Sequence, residues 1–205
     1  VGLDIIESGE IKNLRRRYEE TYMYITADVT SRDSLQSALD NIFLVFGRPT
    51  VLVNNAAIDS PPDAGSVETG PFETYPEESW DRVIEVNLKG TFLACQVFGA
   101  AMAEGTKGSI INIASIYGVV SPDQSIYDYR RLKGEAFYKP VAYSASKSGI
   151  LNLTRYLSVY WAKQNVRVNT LTIAGVFNDQ DQEFLEAYTS RIPIGRMASS
   201  EQYDA

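Results

Sequence analysis

Short apolar runs alternate along this chain with longer stretches whose apolar residues recur every three or four positions. The first pattern predicts strands and the second amphipathic helices. Val1-Gly2-Leu3 reads as the end of a strand, and Ser8 to Glu20 as a helix with its charges outward. A β-rich run from Tyr22 to Ala27 stops at Asp28. Ser31 to Phe46 is a helix with Ser31 as its N-cap and Gly47 as its stop. Thr50 to Val53 is a continuous apolar strand, Ser79 to Ala103 a long helix, and Ser109 to Ile113 a strand. Val141 to Lys163 is another helix, and Val166 to Ile173 the last strand. Strands separated by helices of this length predict βαβ units: an α/β fold with a parallel sheet covered on both faces. Two connections, Asp59 to Pro76 and Tyr117 to Pro140, are longer than connection requires and rich in Pro, Gly, Asp and Ser. Both follow the C-terminal end of a strand, the edge where open α/β sheets bind ligands, so both are expected to shape a substrate pocket.

Composition narrows the picture. With 205 residues, 44% of them apolar and 22% charged, the chain supports one domain with a real core, spanning residues 1–205. A net charge of −7 argues against a nucleic-acid partner, which wants a basic face. The one dense basic run, Arg15-Arg16-Arg17, is flanked by Glu19 and Glu20 and reads as a solvated helix face. Cys95 is alone, so there is no internal disulfide and no zinc cluster, and it reads as a small buried apolar residue. No apolar run reaches a membrane span, and no basic-then-apolar leader opens the chain, so a cytoplasmic protein is predicted. There is no histidine. That removes Ser-His-Asp and Cys-His catalysis and most transition-metal sites. Proton chemistry must then run through Tyr, Lys, Asp, Glu or Cys.

Tyr143 and Lys147 stand four residues apart on a predicted helix, one turn above each other. A lysine ammonium beside a phenol favours its ionised form, drawing it down from about 10 toward useful acid/base strength. Alone, such a pair is a weak signal, because any surface helix can carry it by chance. Ser115 follows a strand and is expected at the sheet's C-terminal edge, in reach of a substrate oxygen or capping a turn. Asn54-Asn55-Ala56-Ala57 follows the strand before it, with small residues that let a planar ligand approach the backbone. Asn87 sits inside an amphipathic helix, where an amide lowers helix propensity and must be hydrogen-bonded if buried.

Taken together, Asp28-Val29, Asn54-Asn55-Ala56-Ala57, Asn87, Ser115, Tyr143-x-x-x-Lys147 and Arg167-Val168-Asn169 resemble a classical short-chain dehydrogenase/reductase over essentially the whole chain. The resemblance implies a Rossmann-like, doubly wound, three-layer parallel sheet and an NAD(P)-dependent oxidoreductase that interconverts an alcohol and a carbonyl. Tyr143 is then the catalytic acid/base, Ser115 orients the reacting oxygen, and Lys147 holds the nicotinamide ribose. Asn87 fixes a proton relay behind Lys147 through its helix backbone and a water. Asp28 and Val29 are implied to lie along the adenine, and Asn54 and Ala56 along the adenosine ribose. Val176 is implied to offer its backbone to the nicotinamide carboxamide. Asp4, closing the first strand, accepts ribose hydroxyls and repels a 2′-phosphate, which favours NAD over NADP. No metal is implied, nor a membrane partner. The helices carrying Asn87 and Tyr143 are implied to pair across a two-fold axis, as a homodimer or homotetramer.

The sequence also departs from the family. No glycine-rich phosphate loop precedes Asp4, so the first strand with that loop, and the last strand, are expected to be lacking and the sequence to be a piece of a longer protein. Ile173-Ala174-Gly175-Val176 stands where the family carries Pro-Gly, which predicts a less constrained turn. Extra length from Asp123 to Lys139 carries Tyr127, Asp128, Tyr129, Arg130, Arg131 and Lys133. These line a site for a polar, sugar- or polyol-like substrate, or form a solvated surface insertion. Two other readings stay open: a 3-oxoacyl thioester reductase, and a dinucleotide-binding regulator without turnover.

Overall fold

The computed structural model describes residues 1–59 and 66–203. Among the described residues five strands stand in the predicted order, separated by helical stretches, and the helices Asp128–Leu132 and Gln182–Thr189 are ones that the periodicity does not predict. β1 (Gly2–Asp4), α1 (Gly9–Arg17), β2 (Tyr24–Thr26), α2 (Arg32–Phe46) and β3 (Val51–Asn54) make up the first part. α3 (Glu77–Ile84), α4 (Gly90–Ala94) and α5 (Ala100–Glu104) then run on as one rod, joined by π turns at Glu85–Lys89 and Cys95–Gly99. β4 (Gly108–Ser115), α6 (Asp128–Leu132), α7 (Val141–Tyr160), β5 (Val166–Ile173) and α8 (Gln182–Thr189) complete it.

Local chemistry sets the helix ends. The Ser8 and Ser31 hydroxyls each accept the third following amide at 3.3 Å, and Gly47 ends α2 with a positive φ of 75°. The first helix stops at Arg17 rather than Glu20, where Tyr18 accepts the closing bonds of a turn. Tyr160 ends α7, and Ala162–Gln164 continues as a short 3₁₀ turn closed by left-handed Asn165.

All strand pairs are parallel, but they form two sheets. β1 pairs with β2, and β3, β4 and β5 form the second sheet in that order. Val51 is opposite Ser109 in one ladder, and Ser115 opposite Ile173 in the other. Between β1 and β3 lies a cavity of about 640 Å³, lined by Leu3, Asp4, Val29, Val51 and Ala56 among others. α2 and the rod bury Leu35, Leu39, Ile42, Val97 and Phe98 against Leu3, Ile25 and Leu52. Met102, Ile110, Leu157, Trp161 and Val168 form a second cluster between the rod, α7 and the sheet. Gly99 allows that contact, since a Cβ there would sit 2.4 Å from the Trp161 ring. The alternate strand positions Val51, Val53 and Leu171 are 60%, 53% and 51% exposed, so the opposite face stays open. Among the described residues no helix is long and apolar enough to cross a membrane.

Candidate active site

The site is assembled from β4, the rod and α7. β4 runs two residues past the predicted end at Ile113, so Ser115 is its last residue, and it is buried. Its hydroxyl accepts the Tyr117 amide at 3.2 Å and contacts the Tyr143 phenol on α7. Lys147, one turn along, is 3% exposed, and its ammonium lies 5.6 Å from the Tyr143 ring centroid. The Lys147 Nζ donates to the Ile113 carbonyl at 2.8 Å, which ties α7 to β4.

The electrostatics differ from the sequence expectation. Lys147 does not draw the Tyr143 phenol down: burial pushes the phenol up, and the Ser115 hydroxyl only partly opposes it. Burial also pulls the lysine down, to about 8. The reason is that both charged forms lose solvation together, while the ammonium faces the ring at some distance and bonds a carbonyl. Cys95 is buried and pushed up to about 12, so it stays a thiol and takes no nucleophile's part.

Asn87 lies in the first π turn and is fully buried. Its side chain takes the Ile58 amide at 2.8 Å and gives to the Ile58 carbonyl at 2.8 Å, clamping the loop after β3. The same Nδ2 donates at 3.0 Å to Ser146, whose hydroxyl donates at 2.7 Å to the Tyr143 carbonyl. Asn87 thus reaches the Tyr143–Lys147 turn through Ser146, and its own backbone carbonyl accepts the Thr91 hydroxyl at 2.7 Å. A π turn supplies the local unwinding that such a mid-helix amide needs.

Of the expected cofactor residues, Asp4, Val29, Asn54 and Ala56 line the cavity between the two sheets, and Asp28, Tyr143, Lys147 and Val176 do not. Asp4 closes β1 there, with its carboxylate accepting the Ile6 amide at 3.3 Å. One Asp28 carboxylate oxygen accepts both the amide and the hydroxyl of Thr30 at 2.8 Å, which holds it below the usual carboxylate range. Val29 and Ala56 line the cavity. Asn54 turns its amide inward, donating to Asn112 at 2.8 Å and to Cys95 at 3.3 Å, so its side chain ties β3 to β4. The Val176 carbonyl accepts from Gln180 at 3.0 Å. The turn before it is constrained without proline: the Gly175 amide donates to the buried Tyr188 hydroxyl at 2.8 Å.

Sequence reasoning missed a polar relay through the sheet. Buried Asn112 bonds Thr154 at 2.9 Å, and Thr154 meets Thr170 at 2.8 Å. An asparagine in the middle of the isoleucine-rich β4 was the available signal. The insertion after Ser115 packs on α8 instead of standing in solvent. Tyr127 packs at a tilt against Phe184, Tyr129 bonds Asp181 at 2.9 Å, Lys133 pairs with Glu183 at 2.8 Å, and Arg191 pairs with Asp123 at 2.9 Å. Arg130 caps the Phe137 ring at 4.0 Å, and Arg131 bonds the Phe137 carbonyl and Asp128. These residues hold the insertion in place, and Lys139, at its end, is the one whose charge reaches Tyr143, 5.2 Å from that ring.

Parallel α/β layers with Ser115, Tyr143 and Lys147 gathered at the end of β4 are the arrangement that the short-chain dehydrogenase/reductase resemblance implies. A family model described as enoyl-(acyl carrier protein) reductase matches residues 1–204, and the chain belongs to this short-chain dehydrogenase/reductase family. It is 32% identical over 183 residues to D-threitol dehydrogenase of Mycolicibacterium smegmatis, covering 87% of this chain and 62% of that protein. It is 32% identical over 180 residues to a 3-oxoacyl-acyl-carrier-protein reductase of Thermotoga maritima, covering 85% and 63%. The chain therefore spans less than two thirds of the length of these relatives. A short chain dehydrogenase from Leptospira borgpetersenii, solved with bound NAD+, superposes with a TM-score of 0.76 at 29% identity, covering 96% of this chain and 79% of that one.

Proposed function

We propose that residues 1–205 form one dinucleotide-binding unit of an NAD-dependent oxidoreductase that interconverts an alcohol and a carbonyl on a polar, polyol- or sugar-like substrate. The observation that carries this reading is the contact of Tyr143 with Ser115 at the end of β4, with Lys147 buried one turn away. A phenol kept neutral by burial is a proton donor to a carbonyl oxygen, and the phenolate left behind takes the proton of an alcohol in the reverse direction. Ser115 orients that oxygen, its hydroxyl being fixed at the strand end. Lys147 supports both with spare N–H donors after its bond to Ile113.

The residues along the cavity fit a dinucleotide. Asp4 offers a carboxylate to ribose hydroxyls, and Val29 and Ala56 give an apolar wall. Asp28, Asn54, Tyr143, Lys147 and Val176 are the further residues that would hold it. Bound there, the nicotinamide supplies the hydride acceptor or donor. A carboxylate at Asp4 disfavours a 2′-phosphate, so the cofactor is NAD rather than NADP. The threitol dehydrogenase likeness supports the polyol substrate, and the Thermotoga likeness keeps a 3-oxoacyl thioester as the second reading. Tyr156, Val159 and Tyr160 leave an exposed apolar stripe on α7, which supports pairing as a homodimer or homotetramer. We place the protein in the cytoplasm on its sparse cysteine.

The test is nicotinamide absorbance with a panel of polyols, sugars, keto acids and 3-oxoacyl thioesters. Turnover of a polyol that Tyr143→Phe abolishes is the expected result. Dinucleotide binding without turnover of any of them overturns it in favour of a regulator.

A further inference from the structure

Lys139 and Asp59 form an ion pair across the mouth of the site, joining the loop after β3 to the end of the insertion before α7. Neither residue belongs to the catalytic set. A surface ion pair contributes little to stability, about 0–1 kcal/mol, so its ordering calls for another reason. Here both partners are held from behind by an amide side chain. Gln124 brackets the Lys139 backbone, accepting its amide at 2.9 Å and donating to its carbonyl at 3.3 Å. Asn87 brackets Ile58 in the same way, and Asp59 is the next residue. The Lys139 side chain is 16% exposed, whereas Asp59 at 49% stays open to an incoming molecule.

Lys139 also lines a cavity of about 440 Å³ with Tyr75, Gln124 and Ser144. The Tyr75 and Ser144 hydroxyls are buried there with no hydrogen-bond partner, a state that usually signals a group awaiting one. The cavity thus presents an ammonium that only donates and two free hydroxyls, and that ammonium also meets the Asp59 carboxylate, which only accepts, and lies 5.2 Å from the Tyr143 ring.

We propose that the Lys139–Asp59 pair is the specificity element of the site and grips a vicinal diol of the substrate. Adjacent hydroxyl oxygens of a diol lie about a hydrogen-bond length apart, so one accepts from Lys139 while the other donates to Asp59. Tyr75 and Ser144 take the hydroxyls beyond. A carboxylate substrate is disfavoured, because the ammonium is already neutralised and Asp59 repels a second anion at contact distance. This rests on the polyol reading above and sharpens it.

The test is ligand-observed saturation-transfer NMR on the full chain, with erythritol, butan-2-ol and erythronate as probes, in wild type, Lys139→Met, Asp59→Asn and Tyr143→Phe. Erythritol binding to wild type, weakened tenfold or more in both Lys139→Met and Asp59→Asn but retained in Tyr143→Phe, is the expected result. Thermal melts establish that each variant is folded, and Asp59→Asn, at an exposed position, keeps the test open if Lys139→Met is not. No erythritol binding to wild type, binding indifferent to both substitutions, or tighter binding of erythronate lost in Lys139→Met each overturns the proposal. Erythritol binding that depends on the pair, without nicotinamide turnover, leaves this inference standing and sinks the oxidoreductase reading instead.

Discussion

Lys147 makes the stability of this fold depend on pH in an unusual direction. It is 3% exposed, and burial pulls its ammonium down to about 8, whereas a lysine in the unfolded chain titrates at about 10.4. Between those two values the unfolded state binds more protons than the folded one, so stability rises with pH there. The penalty for a buried cation is fully present below about pH 8 and is relieved as pH climbs toward about 10.4. At about 1.4 kcal/mol per pH unit, the gap is worth about 3 kcal/mol. Lys147→Met removes the charge and leaves the Ile113 carbonyl without its donor, a loss that does not vary with pH. Urea unfolding of both proteins at a series of pH values from about 7 to about 10.5 isolates the effect, since other titrating groups cancel in the difference. Wild type is expected to gain about 3 kcal/mol on the variant across that window. A difference flat to within about 0.5 kcal/mol would refute the desolvation argument.

Three further substitutions probe the site. Tyr143→Phe keeps the ring on α7 and removes the proton carrier, so kcat should fall by about 10²–10⁴ with little change in melting temperature; a loss under tenfold would remove Tyr143 from the chemistry. Asn87→Ala empties a fully buried position and strands the Ile58 amide and carbonyl, for an expected loss of about 2–4 kcal/mol in urea unfolding. A loss below about 1 kcal/mol would mean that the loop after β3 does not need this clamp. A Cβ on Gly118 would lie 2.8 Å from the Lys147 backbone, so Gly118→Ala should cost about 1–3 kcal/mol and lower turnover; wild-type behaviour in both assays would show that α7 yields freely there.

Much of the architecture was legible because it is local. Ser31 and Gly47 mark the ends of α2 by their own side-chain and backbone chemistry, and β5 spans Val166–Ile173 as its β-branched run predicts. Tyr143 and Lys147 share a helix, so their proximity follows from spacing alone. The contacts among Asn87, Ile58 and Ser146 were not legible, because they join the rod, a loop and α7 across distant stretches of sequence.

The sequence by itself determined the alternation of strands and helical stretches, the residues that gather at the end of β4 and the absence of histidine chemistry. Only the tertiary structure decided how those residues are charged and what surrounds them. Burial, which no periodicity encodes, keeps the Tyr143 phenol neutral and lowers Lys147. The insertion looked like a substrate wall or a solvated loop, and its docking on α8 turns most of it into a brace that delivers Lys139. Hydrogen bonds and desolvation act through space, so their partners are fixed only once the chain has folded.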